Sequence, residues 1–266
     1  AVGDLRKVLV SLSEVEPIVE QLLQYRFNTN SDLDGHAFGN LLLTALFNIT
    51  GNLNILEYCR RNGADRILFA QSFGDIKDYS EENPVLTVDM PRKFSFTSDH
   101  SIYVMSKNFA VDMIENYHQM YGLKRFIFRL PTIYLYSPVD MFYVDGEPRK
   151  IGYRLLIDKA RTGEPIEVWG NPNREKDMVY VKDFCQMLFK AIFVNRNCGY
   201  YNVGTGVGTS LLDQIKGMID VFGEEGKKSE IIMRPDKPNA PQYIMDITPA
   251  YLQTLTVFAY GAADIT

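Results

Sequence analysis

Ser72, Tyr103 and Lys107 are the residues whose types and spacing could move a proton. Tyr103 and Lys107 stand at i and i+4 in the run YVMSK, so a helix there presents a phenol and an ammonium on one face. A phenol titrates near pH ~10 and is a poor base at neutrality, but a neighbouring cation favours the phenolate and brings it toward the working range. Tyrosine could then take a proton from a hydroxyl of a bound molecule. Ser72 ends the apolar run RILFAQS, and a hydroxyl at the carboxyl end of a strand lies where open α/β sheets bind ligands. Among sixteen tyrosines, one followed four residues later by lysine is expected by chance about once. The spacing alone therefore also fits a plain surface helix; the strand-end serine upstream is what adds weight to the functional reading.

The elements that must hold these residues alternate. AVGDL ends in a turn, and Ser13-Glu14-Val15-Glu16 makes a capping box ahead of the helical pattern Val15, Val19, Leu22, Leu23. Apolar residues recur at helical spacing from Leu41 to a stop at Asn62-Gly63, and Arg66 to Ala70 then has strand composition. After a loop with Asn83-Pro84 and Pro91, Ser101 to Tyr121 carries a helical stripe of Ile102, Met105, Phe109, Met113, Ile114 and Tyr117, closed by Gly122. Arg125 to Leu130 is another apolar strand. Such alternation predicts a parallel sheet with helices on both faces. Beyond Pro131 the pattern changes: Tyr134 to Lys150 reads as a polar, aromatic-rich loop, and short elements follow near Pro165–Trp169, Met178–Val181 and Tyr201–Val203. A smaller second lobe is expected there, and the tail from Tyr251 to Thr266 has no clear periodicity.

Composition excludes several classes. A chain of 266 residues with 46% hydrophobic residues can bury a substantial core. A net charge of −5 supplies no basic field for nucleic acid. Cys59, Cys185 and Cys198 show no CxxC spacing, and His36, His100 and His118 form no HxxxH pair, so neither a disulfide frame nor a metal site is indicated. No apolar run reaches the roughly 18 residues that cross a bilayer, and the first residues lack a secretory pattern. The expectation is a soluble, cytoplasmic protein with no membrane partner.

The ordered series AVGDL, FNITGNLNILEYC, RILFAQS, YVMSK, RFIFRLPTIY, GEPIEVWG with KDMVYVKD, and YNVGTG resembles the extended short-chain dehydrogenase/reductase family, in its NAD-dependent epimerase/dehydratase branch acting on nucleotide sugars. The resemblance runs from about Val2 to Asp246. It implies a Rossmann-like doubly wound parallel sheet, incomplete at its amino terminus, over residues 1–132, and a smaller α/β substrate lobe over 133–266, interleaved with the first. It implies a catalytic Ser72, Tyr103 and Lys107, with Tyr103 and Lys107 also at the cofactor. Asp4, Leu5, Asn48 and Pro131 match further cofactor positions, and Thr132, Lys176 and Arg234 join Ser72 at substrate positions. NAD is the implied cofactor, with NADP possible, and a nucleotide sugar the substrate. A homodimer is implied through two helices whose outer faces carry Leu53, Met113 and Tyr117.

Departures from the family pattern matter too. The glycine-rich turn between first strand and first helix is absent from the sequence. FNTNSDLD (27–34) stands where an apolar strand is usual, and Asn28, Asn30, Asp32 and Asp34 are poor strand formers. Gly204-Thr205-Gly206-Val207-Gly208 has threonine at 209 where a third fingerprint glycine would stand, so it reads as a structural turn. Arg174, Lys176 and Arg234 could together hold a diphosphate, though Arg174 reads equally well as a solvated surface charge. Dehydratases of the branch carry Thr-Asp-Glu at the strand end, whereas this chain has Ser72-Phe73-Gly74, so epimerisation through a transient ketone is expected rather than elimination. An NADPH-dependent reductase and a non-catalytic ligand sensor stand as alternatives.

Overall fold

A computed structural model describes residues 51–98, 100–135, 137, 139–144 and 147–252. The helix after Ser13 and the FNTNSDLD segment, both read from sequence, lie outside the described residues. The chain forms two compact units, one of Ala1–Phe69 with Ser95–Arg125, the other of Ala70–Phe94 with Phe126–Thr266.

In the first unit, residues 51–61 are helical (α1) and end before Gly63, whose φ of 64° suits only glycine without strain. Strand β1 (Arg66–Ser72) begins here. Helix α2 (Ser101–Tyr121) ends at Gly122, left-handed at φ 71°, whose amide donates to the His118 carbonyl. Its buried face runs through Val104, Asn108, Val111, Ile114 and Tyr117. Ile102, Met105 and Phe109 are exposed, so the stripe read from sequence mixed two faces one residue apart. Tyr117, expected on the outer face, is buried and its hydroxyl donates to Glu57 Oε1 on α1 at 2.6 Å. A polar tip on an apolar ring suits an interface between two helices as well as a surface.

In the second unit come β2 (Val85–Leu86), β3 (Lys124–Leu130, which starts in the first unit), β4 (Ile133–Tyr134), and the hairpin β5 (Met141–Val144) with β6 (Glu147–Lys150). The region expected to be a loop thus holds three short strands. The signal that could have found the hairpin is Asp145-Gly146, a favoured two-residue connection, and Val144 faces Glu147 across it in antiparallel register. Helix α3 (Gly152–Thr162), β7 (Ile166–Trp169), β8 (Glu175–Asp177) and β9 (Val179–Tyr180) follow. The chain continues through α4 (Val181–Phe193), β10 (Cys198–Asn202), β11 (Gly208–Ser210), α5 (Leu211–Phe222), β12 (Ile231–Arg234), β13 (Ile244–Met245) and α6 (Thr248–Leu252).

Sheet order is β1-β3-β10, with residues 126–129 of β3 fully buried, as expected of the middle strand in a sheet covered on both faces. Three further pairs, β12/β7, β13/β2 and β4/β9, are also parallel. Ser210 caps α5, its hydroxyl accepting from the Asp213 amide, a Ser-x-x-Asp helix start visible in the sequence. That helix packs Leu211, Ile215 and Ile219 against Ala160, Ile166 and Val168. A second cluster, Ile76, Leu86, Tyr243 and Met245, lies against Phe73. No described helix is long and apolar enough to cross a membrane.

Candidate functional site

The Ser72 turn starts from local chemistry. Ser72 leaves β1 in an extended conformation, φ −96° and ψ 142°, and its Oγ accepts the Gly74 amide at 3.1 Å, capping the 3-10 turn Phe73–Asp75. Its own amide donates to Gln71 Oε1 at 2.9 Å. One lone pair of the hydroxyl is therefore used locally, while its proton and second lone pair can serve a ligand.

Phe73 stacks on Tyr243, ring centroids 4.3 Å apart. The Tyr243 hydroxyl accepts the Thr132 amide at 3.4 Å, and Thr132 Oγ1 accepts from Lys176 Nζ at 3.4 Å. Lys176 Nζ lies 5.6 Å from the Tyr134 ring centroid and 5.9 Å from that of Tyr243, distances at which ring faces attract a cation. No carboxylate pairs with this ammonium among the described residues. Burial therefore pulls the Lys176 pKa down to about 8 and pushes that of Tyr243 up to about 12. The structure thus brings Ser72, Thr132 and Lys176 into one chain of contacts. It adds Tyr134 and Tyr243, which sequence reading missed because they lie at widely separated positions with no motif of their own. Pro131 is buried where β3 ends.

Arg234 is held differently. Its Nη1 donates to Glu167 at 2.7 Å, and its Nε and Nη2 to Asp236 at 3.0 and 2.9 Å. Those two carboxylates hold its guanidinium well above its usual range. Arg174 binds Glu81 at 2.9 Å and the Ser80 carbonyl at 3.1 Å, so it is a structural tie rather than a solvated charge. The Gly204-Thr205-Gly206 turn is filled by Asp177, whose carboxylate accepts the amides of Thr205 and Gly206 and the Thr205 hydroxyl, at 2.6–3.0 Å. With those donors satisfied by a protein carboxylate, it is a structural turn.

Tyr103 and Lys107 belong to the first unit, on α2. Tyr103 is 48% exposed. Lys107 Nζ lies 4.9 Å from the Phe69 ring centroid and 5.8 Å from that of Tyr103, and partial burial lowers the pKa of its ammonium. The pair is therefore side by side on one helical face, as the spacing predicts. Asp4, Leu5 and Asn48 lie outside the described residues.

A polar network that sequence reading missed lies under the Ser72 turn. Arg129, 3% exposed on β3, reaches Asp75 Oδ2 through Nε at 3.3 Å and Nη2 at 3.0 Å. Burial pushes the Asp75 carboxyl up, and the guanidinium offsets this only in part. The signal was an arginine inside the apolar run RFIFRL, since a charge in a central strand must find a buried partner.

Comparison with known proteins supplies two family matches. The model described as the NAD dependent epimerase/dehydratase family matches residues 35–204, and that of 2-phospho-L-lactate transferase CofD matches residues 1–59. A putative UDP-glucose 4-epimerase of Methanocaldococcus jannaschii is 29% identical over 218 residues, covering 81% of this chain and 65% of the relative. A gluconeogenesis factor of Bacillus subtilis is 60% identical over 50 residues, covering 19% of this chain and 16% of the relative. The crystal structure of UDP-glucose 4-epimerase with UDP-glucose from Thermotoga maritima superposes with a TM-score of 0.60 at 22% identity, over 91% of this chain and 66% of that one. The chain therefore spans just under two thirds of these epimerase relatives, and its fold is theirs, a Rossmann-like α/β arrangement of parallel strands.

Proposed function

The chain belongs to the NAD dependent epimerase/dehydratase family through residues 35–204, and on that premise we propose that it interconverts two epimers of a nucleotide sugar. The observation that carries this reading is Lys176, a half-buried ammonium flanked by Tyr134, Tyr243 and Thr132 and tied to the Ser72 turn through Phe73. Such a desolvated cation suits a diphosphate. Lys176 and Thr132 hold that group, and Arg234 joins them by exchanging Glu167 or Asp236 for a phosphate oxygen. Since the similar proteins include UDP-glucose 4-epimerases, a uridine diphosphate sugar is the first substrate to test.

NAD, when bound, supplies a reversible acceptor for hydride from a sugar carbon. The described residues suit its ribose: a half-buried ammonium at Lys107 and an exposed phenol at Tyr103 share one helical face, and both can hydrogen-bond to hydroxyls. Pro131, with Asn48 as the resemblance implies, completes the cofactor contacts; Asp4 and Leu5 lie before the residues that the family model matches. Tyr103 takes the proton of the sugar hydroxyl as its carbon is oxidised, Lys107 stabilises the phenolate, and Ser72 hydrogen-bonds to the same oxygen. The ketone then turns over; Tyr103 returns the proton once the opposite face has been reduced.

The test is a panel of uridine diphosphate sugars with added NAD, read by the epimer ratio at equilibrium. Epimerisation without net cofactor reduction is expected, and Tyr103→Phe lowers kcat by about 10²–10⁴. Stoichiometric NADPH consumption with an alcohol product would point to the reductase. Sugar binding without turnover in both proteins would mark a ligand sensor. A homodimer is part of the same proposal and is checked by mass in solution.

A further inference from the structure

The turn that presents the Ser72 hydroxyl is only three residues long, Phe73–Asp75, and its last residue is almost wholly buried. Three residues cannot fix their own geometry against the motion of flanking loops, so something outside the turn must hold it. One guanidinium does so from three directions. Arg129 places Nε and Nη2 on Asp75 Oδ2, while its Nη1 donates to the Asn202 side chain on β10 at 3.2 Å and to the Val88 carbonyl at 3.2 Å. The Arg129 guanidinium also lies 4.8 Å from the Tyr200 ring centroid. Asn202 in turn donates to the Leu86 carbonyl at 2.8 Å, and the Asp75 carbonyl accepts the Lys93 amide at 2.7 Å. The Ser72 turn, β3, β10 and Val88 thus meet at one cation, with Leu86 and Lys93 tied to two of its partners.

An apolar pair of similar volume would glue these elements together at least as well, because burying two charges costs more than it returns unless the geometry is fixed closely. The network even leaves Asp75 Oδ1 without a hydrogen-bond partner. A costly, directional contact in place of a cheap, non-directional one points to placement rather than adhesion.

We infer that Asp75 and Arg129 are positioning residues that hold the Ser72 hydroxyl in place by locking the turn after β1, an inference that rests on the reading of Ser72 as a substrate contact. The Ser72 Oγ to Gly74 amide bond is the local reporter of that placement.

Two variants of the full chain test it, Asp75→Asn, which keeps the shape and removes the charge, and Arg129→Lys, which keeps the charge and removes the fork. Amide hydrogen exchange is followed at Gly74 and at Ile127, buried in the middle of β3. In either variant the Gly74 amide is expected to exchange at least about tenfold faster while Ile127 keeps its protection. In the epimerase assay kcat falls about tenfold to a hundredfold with KM for the sugar unchanged. On a Ser72→Ala background the same substitution changes kcat less than about twofold. Unchanged exchange at Gly74 overturns the inference. So does joint loss of protection at Gly74 and Ile127 in both variants, which marks an ordinary stability contact, and so do kcat effects that multiply with Ser72→Ala. If the unaltered protein turns over no nucleotide sugar, the catalytic reading of Ser72 fails by itself, and the exchange data still decide whether the pair holds the turn.

Discussion

The ring of Phe73, the residue after Ser72, stacks on that of Tyr243 with planes 27° apart, and Tyr243 in turn flanks Lys176. A single aromatic pair therefore joins the strand-end hydroxyl to the half-buried ammonium. Phe73→Ala should destabilise the chain by about 1–3 kcal/mol, less than a fully buried phenylalanine because Phe73 is only half-buried. Urea unfolding measures this. Phe73→Leu should recover part of the loss, since area is restored but stacking is not; full recovery in Phe73→Leu would show that the ring contact contributes nothing beyond burial.

Lys176 offers an ammonium rather than a guanidinium, and that choice has a consequence in pH. Burial lowers its pKa to about 8, so the side chain is charged below that value and loses its proton as pH rises through it. On the proposed reading, affinity for a nucleoside diphosphate is highest near neutrality and falls above pH ~8, whereas Lys176→Arg holds it level because a guanidinium stays protonated. Calorimetric titration of uridine diphosphate between pH ~6.5 and ~9.5 checks this. Stability runs the other way. Unfolded lysine keeps its proton to about pH 10.4, so between roughly 8 and 10.4 the unfolded chain binds more protons and this group's contribution rises with pH. A binding curve that ignores pH in the unaltered protein would remove Lys176 from the anion site.

Much of the frame was legible because it is written locally. Arg66–Ser72, Ser101–Tyr121 with its Gly122 stop, and the Ser210 cap all follow from spacing and a few end signals. The side chains around Lys176 are not local: Thr132 and Tyr243 stand 44 and 67 residues away in sequence, brought in by separate strands. Arg129 and Asp75 are separated by 54 residues, and only the anomaly of a charge in an apolar run hinted that a partner existed. The first 59 residues show another limit. A turn-then-helix order fits many α/β proteins, and here the transferase family model matches the stretch read as nucleotide-binding strand, including Asp4 and Leu5.

The glycine turn at 204–206 gives a prediction that separates two uses of the same motif. Glycine-rich turns bind phosphate when their amides point at an open cradle. Here the amides of Thr205 and Gly206 point at Asp177, which is fully buried, and the Thr205 hydroxyl gives it a third donor at 2.6 Å. Asp177→Asn places an amide nitrogen where one of these oxygens accepted, leaving a donor facing donors, and should cost about 1–3 kcal/mol. Gly204→Ala attacks the same contact by shape, since an added Cβ would fall against Asp177 Oδ2 and within 2.8 Å of Met245 Cβ. Because both act on one contact, the double variant should be less destabilised than the sum of the singles. Inorganic phosphate added to Asp177→Asn should not restore the melting temperature if the turn serves structure alone. Rescue by phosphate would show that the amides can hold an anion once the carboxylate no longer competes, and would reopen the turn as a ligand site.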